Sequence, residues 1–236
     1  MMVHAFWFGG NDMPQEIVKC IDSWKQYLPN LEIKIWNEAL YTSDSKFYLE
    51  AIKNKQWAFA SDYARFDILN KYGGLYLDTD MLILKSMEPL FSRCKYFIGR
   101  ENDEELGCSI ICLPKDNQIS KHVLKELERI ELKDYSTIPK LISKIYFNNS
   151  EIFECVEILH KDVFYSYPFN DEGCYEDYIK EISYGVHLWN ASWKNYFEKA
   201  LLKKKKNDHY GAIFEIVKAA RFKPWRLIHI LRLVWK

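Results

Sequence analysis

Ala58-Phe59-Ala60-Ser61-Asp62-Tyr63-Ala64-Arg65-Phe66-Asp67-Ile68-Leu69-Asn70-Lys71-Tyr72-Gly73-Gly74-Leu75-Tyr76-Leu77-Asp78-Thr79-Asp80 reads as a helix, a glycine stop and a short apolar strand that ends on two carboxylates. On a helical wheel Asp62 and Arg65 share an arc with Phe59, Phe66, Leu69 and Tyr72, so the helix carries an ion pair on its inward face. Charges belong outside unless something needs them. Gly73-Gly74 suits a left-handed cap, and Leu75 and Leu77 alternate with Tyr76, Asp78 and Asp80 as in a half-buried strand. If the extended form persists through residue 80, both carboxylates point the same way.

Upstream, residues 3–8 form an apolar run closed by Gly9-Gly10, which predicts a buried strand with a loop at its carboxyl end. A helix is expected over 14–27, where Ile17, Cys20, Ile21 and Trp24 recur at helical spacing after Pro14, and a second strand over 31–36. Together these make a βαβ unit with a right-handed crossover. Residues 39–55 suggest one or two weakly patterned helices. Beyond the carboxylates, residues 81–84 read as the strand continuing and 87–90 as a turn. Further strands are expected at 96–100 and 108–113 around an acidic loop, helices at 118–130 and 138–147, extended chain at 156–159, 165–169 and 185–193, and helix from 194 onward.

With 236 residues, 48% of them apolar, the chain has material for one sizeable core and is not a disordered sequence. The fold class expected is α/β, with one domain over 1–200 and a basic helical tail over 201–236. Lysines and arginines balance aspartates and glutamates, which gives no global electrostatic case for nucleic acid. The first ten residues lack the pattern of a secretory signal, and no stretch has the length and apolarity of a membrane span, so an intracellular protein is expected. Cys20, Cys94, Cys108, Cys112, Cys155 and Cys174 show no metal spacing and read as free thiols, with Cys108 and Cys112 in the core.

Asp-x-Asp at the carboxyl end of an apolar strand is well placed for a hard divalent cation, because Mg²⁺ and Mn²⁺ take one or two carboxylates and leave the rest of the shell to phosphates and water. Ligands of open α/β sheets bind at that end of the strands. Phe6-Trp7-Phe8-Gly9-Gly10, residues 58–65, Lys71-Tyr72-Gly73-Gly74-Leu75-Tyr76-Leu77-Asp78-Thr79-Asp80, and His187 with Ser192-Trp193 together resemble the DXD sugar-binding region of bacterial capsular polysaccharide glycosyltransferases (glycosyltransferase family 32). The pattern is also similar to that of the yeast initiating α-1,6-mannosyltransferases and, more distantly, to that of the clostridial glucosylating toxins. It spans 6–193 and leaves out the tail from Lys203.

The resemblance implies a GT-A-like mixed sheet flanked by helices, and a retaining hexosyl transfer from a nucleotide-diphospho-sugar, UDP favoured over GDP. Asp80 would bind the metal, and Asp78 either the donor ribose or the metal through water; the two are the catalytic pair. Asp62 and Arg65 would hold the donor sugar and its phosphates, and Phe6 and Trp7 would border the nucleotide base. His187, Asn190, Ser192 and Trp193 would close over the diphosphate, with His187 or Ser192 completing a Mn²⁺ or Mg²⁺ shell. Ser136-Thr137-Ile138-Pro139 stands where such enzymes often have Thr-Gly-Pro, and 101–107 departs from the common acceptor-side loop.

Each assignment has a structural counterpart. Asp62 and Arg65 would otherwise be an ion pair pinning a helix, Trp7 and Trp193 core aromatics, and His187 a satisfied core histidine. Glu101, Asp103, Glu104 and Glu105 read as a solvated run, and Asp171-Glu172 as a second acidic stretch on the acceptor side. In the tail, Arg226, His229, Arg232 and Lys236 oppose Ile228, Leu231 and Val234 on a helix that follows the basic run 203–206. That pattern fits a membrane surface, on the inner face of a plasma membrane where a glycan or lipid-linked glycan acceptor is met, or a packed helix or dimer contact. A transferase in capsular or surface polysaccharide synthesis is the reading. The alternatives are a nucleotide-sugar hydrolase or phosphotransferase, and a non-catalytic sugar-nucleotide scaffold.

Overall fold

The computed structural model describes residues 1–169, 171 and 173–190. The chain divides into a first unit, Met1–Tyr167 with Tyr175–Leu188, and a second, Pro168–Cys174 with Trp189–Lys236. Of the second unit, the described part is a turn closed by Asp171 Oδ1 on Gly173 N–H at 2.7 Å, with the rings of Phe169 and Trp189 edge to face. The expected tail helix over 201–236 lies outside the described residues.

The first unit is built on a six-stranded sheet of order β2-β1-β3-β6-β5-β7, with β1 at Met2–Phe6, β2 at Glu32–Trp36, β3 at Gly74–Leu77, β5 at Phe97–Arg100, β6 at Leu106–Leu113 and β7 at Glu157–Leu159. β1 pairs parallel with both β2 and β3, while β6 runs antiparallel to β3 and β5, and β7 is parallel to β5. Helices flank it: α1 (Gln15–Tyr27), α2 (Lys46–Lys53), α3 (Trp57–Tyr72), α4 (Glu88–Arg93), α5 (Gln118–Leu127) and α6 (Ile138–Asn148). This is the mixed α/β sheet expected. All eight residues of β6 are buried, as befits a strand covered on both faces.

α3 is the central helix. Ala60, Tyr63, Ala64, Phe66, Ile68 and Leu69 are buried around most of its circumference, because it packs against α2, α5 and the sheet. The inward arc expected of it ends early, since Tyr72 is 59% exposed. Gly73, at φ +65°, then turns the chain, and a Cβ there would lie 2.5 Å from Lys115 N, so only glycine fits. His4 seals this corner from β1: its Nε2 donates to Gly73 O at 3.0 Å, and its Nδ1 accepts from the Trp36 indole at 3.2 Å. Burial pulls its pKa down, so the neutral ring that both bonds require is the form present.

Several boundaries differ from expectation. β3 ends at Leu77 and does not extend through Asp80, because Asp78 O accepts from Met81 N–H at 2.9 Å and closes a turn. Residues 81–84 do not continue that strand; Met81–Ile83 is β4, which pairs antiparallel with β8 (Gly185–His187) in a separate two-stranded sheet. Residues 87–90 open α4, with Pro89 in its first turn, and residues 165–169 form no strand. Cys20, Cys94, Cys108 and Cys112 are buried free thiols.

Candidate functional site

The carboxyl end of β3 gathers the charged side chains. Asp78 N–H donates to Ser109 O on the neighbouring β6 at 2.7 Å, which fixes where the strand stops. The turn that follows delivers Asp80, and the β4–β8 register sets Met81 opposite His187. The result is a contact between residues distant in sequence: Asp80 Oδ1 lies 3.1 Å from His187 Nε2, and Leu188 N–H donates to Asp80 O at 3.1 Å. α1 anchors this small sheet, with Trp24 Nε1 donating to Met81 O at 2.6 Å and Ser23 Oγ accepting from Ile83 N–H at 3.0 Å.

Asp62 and Arg65 reach the same place from α3. Arg65 Nη2 lies 2.9 Å from Asp62 Oδ1 and 3.4 Å from Asp78 Oδ1, with all three residues at least partly buried. Its other nitrogens are also engaged: Nη1 donates to Cys108 O at 2.7 Å, Nε to Ser61 O at 3.3 Å, and the guanidinium lies over the Tyr76 ring. Asp62 Oδ2 accepts from the Tyr135 hydroxyl at 2.9 Å. Burial pushes the Asp62 carboxyl up to about 6, with Arg65 and Tyr135 pulling against it and Asp78 adding to it.

Asp78, Asp80 and His187 each offer one ligand atom, and these atoms lie within 4.8 Å of one another. Two carboxylates and an imidazole are a donor set suited to a divalent cation. The surroundings fit one too: Asp62, Asp78 and Asp80 converge with Arg65 as the permanent cation among them, so the pocket is anionic until a positive charge enters. Ser109 Oγ stands 3.4 Å from His187 Nδ1, where it orients the ring from behind, as partners of metal-bound histidines do.

The structure therefore unites Asp62, Arg65, Asp78, Asp80 and His187 from α3, β3, the turn and β8. Phe6 is not with them in the way expected. Its ring is 6% exposed and packed on Phe8, Trp36, Tyr41 and Tyr76, since β1 lies in the middle of the sheet. It backs the pocket and does not face it. Trp7 is half-buried at the end of β1, with its indole N–H on Asn11 O at 2.7 Å. Asn190 and Asp171 belong to the second unit, while Glu172, Ser192 and Trp193 lie outside the described residues.

Sequence reasoning missed four participants. Tyr76 donates to Asp78 Oδ1 at 2.5 Å, and the i, i+2 spacing on one strand face was a readable signal for it. Tyr135 and Ser109 left none. Glu101 belongs to a run that reads as solvated, yet the charges of both His187 and Asp78 act on it.

Residues 14–97 match the model of the family described as glycosyltransferase sugar-binding region containing DXD motif. Two solved structures share the fold. The PaToxG glycosyltransferase is 16% identical, with a TM-score of 0.50 over 64% of this chain and 71% of that one. The apo-form glycosyltransferase GlyE of Streptococcus pneumoniae TIGR4 is 10% identical, with a TM-score of 0.50 over 81% of this chain and 55% of that one. At these identities the likeness is one of fold, and the fold is GT-A. No curated protein matches the chain by sequence.

Proposed function

We propose that this chain is a metal-dependent, retaining glycosyltransferase that moves a hexose from a nucleotide-diphospho-sugar, UDP-linked by preference, to a glycan or lipid-linked glycan acceptor in surface polysaccharide synthesis. The observation that carries the reading is the convergence of Asp78, Asp80 and His187 beside the buried Asp62–Arg65 pair. Retention, the hexose and the polysaccharide setting rest on the sequence resemblance over 6–193. Association of residues 225–236 with a membrane surface rests on their sequence pattern. Among the described residues, no helix is long and apolar enough to cross a membrane.

Asp78, Asp80 and His187 would hold a Mn²⁺ or Mg²⁺ ion, with Ser192 a further ligand in this reading. Bound there, such an ion neutralises the charge that develops on a departing diphosphate. The chain's own residues do the rest. Arg65 presents its charge to the donor from a guanidinium immobilised on four sides, so little reorganisation is needed as charge develops. Asp62, fixed by Arg65 and Tyr135, would accept hydrogen bonds from sugar hydroxyls. Trp7 would border the base, and Asn190 and Trp193 would cover the phosphates and exclude water.

Ligand-induced stabilisation tests the reading directly. UDP- and GDP-sugars are screened with and without Mn²⁺, and at ligand concentrations about 100 times Kd the stabilisation expected is about 2.7 kcal/mol. For a domain of this size that is roughly 5–10 °C in the unfolding midpoint. Shifts must require nucleotide-sugar and metal together; no shift with any pair would refute the proposal.

His187 gives the same protein a pH signature. Burial pulls its imidazole down, but the Asp80 ion pair and the charges of Asp78 and Glu101 outweigh it, so the net pKa lies above the ordinary 6.5. A raised folded value means the protonated ring contributes stability that is full below 6.5 and is lost as pH rises through the folded value. A metal requires the neutral ring, so affinity for Mn²⁺ should rise over that same window while metal-free stability declines. Titration calorimetry and melts across the window check both slopes. A flat metal affinity would remove His187 from the ligand set.

A further inference from the structure

Tyr76 belongs to the interior strand β3, paired with β1 opposite His4 and with β6 opposite Ile111, and its ring is 1% exposed. Phe6 packs on that ring at 6.3 Å between centroids, and the Arg65 guanidinium lies over it at 4.6 Å. Held on these sides, the hydroxyl reaches past the end of the strand and donates to Asp78 Oδ1 at 2.5 Å. A buried phenol needs a partner for its one polar atom, and here that partner is a carboxylate oxygen at the candidate metal centre.

Asp78 is thereby held through one oxygen only. Arg65 Nη2 stands 3.4 Å from the same Oδ1, and the main chain is fixed by Asp78 N–H on Ser109 O at 2.7 Å. Oδ2 has neither an ion pair nor a hydrogen bond among the described residues, and the side chain is 25% exposed. With the hydroxyl and the guanidinium on Oδ1, what Asp78 has left to offer an ion is Oδ2. That matters because cations differ in how they use a carboxylate. Ca²⁺ takes roughly six to eight oxygens at about 2.3–2.6 Å, often with carboxylates bidentate, whereas Mg²⁺ demands a near-octahedral shell at about 2.0–2.1 Å. Mn²⁺ also suits octahedral oxygen sites.

We propose that Tyr76 sets the cation selectivity of this site: by occupying Oδ1 it confines Asp78 to one-oxygen binding, which admits Mn²⁺ or Mg²⁺ and disfavours Ca²⁺. The proposal rests on the metal-dependent reading above. Tyr76 is a positioning residue, acting on the ion only through Asp78. Tyr76→Phe isolates its hydroxyl. The ring stays between Phe6 and Arg65, and Oδ1 keeps only the longer contact to Arg65. The carboxylate is then able to turn and close both oxygens on a larger ion. Because the Asp78 side chain is 25% exposed, water replaces the lost bond and the variant should fold, which its melting curve checks.

The test is a binding measurement on the full chain, first with metal alone and then with UDP present. Mn²⁺ is titrated while the free ion is followed by electron paramagnetic resonance, and Ca²⁺ is then added in competition. The quantity read is the Kd for Ca²⁺ divided by the Kd for Mn²⁺. His187 favours Mn²⁺ in wild type and variant alike, so its contribution cancels when the two ratios are compared. In Tyr76→Phe the ratio should fall by about 10-fold or more, the lower range for losing a partner group behind a metal ligand. Tyr135→Phe removes a hydroxyl from the neighbouring carboxylate Asp62, which lies outside the ion cluster, and should keep the wild-type ratio. An unchanged ratio in Tyr76→Phe, or an equal loss of both affinities, overturns the selectivity assignment and leaves the metal reading standing. So does a fall of the same size in Tyr135→Phe, since that would be a general loosening of the pocket, and so does a wild type that binds Ca²⁺ as tightly as Mn²⁺. A wild-type chain that binds no Mn²⁺, with or without UDP, overturns the metal-dependent reading and this proposal with it.

Discussion

Asp80→Asn is expected to lose metal-dependent turnover on the order of 10³-fold, the upper range for deleting one preorganised electrostatic contact to a developing charge, while the fold survives. The reasoning separates the two halves of the residue. Its main chain does structural work: Leu188 N–H donates to Asp80 O, and asparagine keeps that bond. Its side chain supplies a negative charge 3.1 Å from His187 and within 4.8 Å of a ligand atom of Asp78. Asparagine retains the shape and an acceptor oxygen but loses that charge, so cation affinity falls and His187 loses the partner that keeps its pKa high. Steady-state rates at saturating donor, with Mn²⁺ titrated over several decades, measure the effect. Undiminished turnover in purified Asp80→Asn would remove Asp80 from the metal assignment.

That prediction concerns a residue legible in the sequence, and its legibility has a local cause. Asp62, Arg65, Asp78 and Asp80 lie within one helix–turn–strand unit, where helical spacing and strand alternation, both intrinsic to short stretches of chain, place side chains directly. The glycine corner was readable for the same reason, since a positive φ leaves its mark on residue type. What local periodicity cannot convey is register between distant segments. His187 meets Asp80 because β4 and β8 pair with Met81 opposite His187, and nothing in residues 81–83 announces that they abandon β3 for a second sheet. Residues 75–77 and 81–83 are extended as the sequence implies, but the strand does not run through 78–80, because a turn bond from Met81 N–H to Asp78 O competes with the strand ladder.

Glu101 and Phe6 failed in opposite directions for a related reason. An acidic run is normally solvated, and Asp103 and Glu104 obey that rule. Whether one member of such a run turns inward depends on a hairpin closed by Asn102 and Lys161, which lies outside any window of a few residues. Phe6 sits beside a motif and so invited a ligand role. Its strand is flanked by β2 and β3, and that position commits its ring to the core.

Arg65 is where structure and chemistry are hardest to separate, and two variants separate them. Arg65→Met should destabilise the fold by about 3–5 kcal/mol, because it leaves buried Asp62 and part-buried Asp78 without their cation. For a domain of this size the unfolding midpoint should drop by roughly 6–20 °C. The apolar double variant Asp62→Leu/Arg65→Met removes most of that penalty, since replacing a whole buried pair by well-packed apolar groups is often neutral or stabilising. Asp78 keeps the Tyr76 hydroxyl in either variant. If the pair served only to pin α3, the double variant would be both stable and active. As a wall of the donor pocket, it should instead regain stability without regaining donor binding, because no group then meets the phosphates or the sugar hydroxyls from α3. Melting curves and nucleotide-sugar titrations on the wild type and both variants decide the matter. Full activity in the stable double variant would reduce Asp62 and Arg65 to a structural ion pair and leave the carboxylate turn to bind the donor without them.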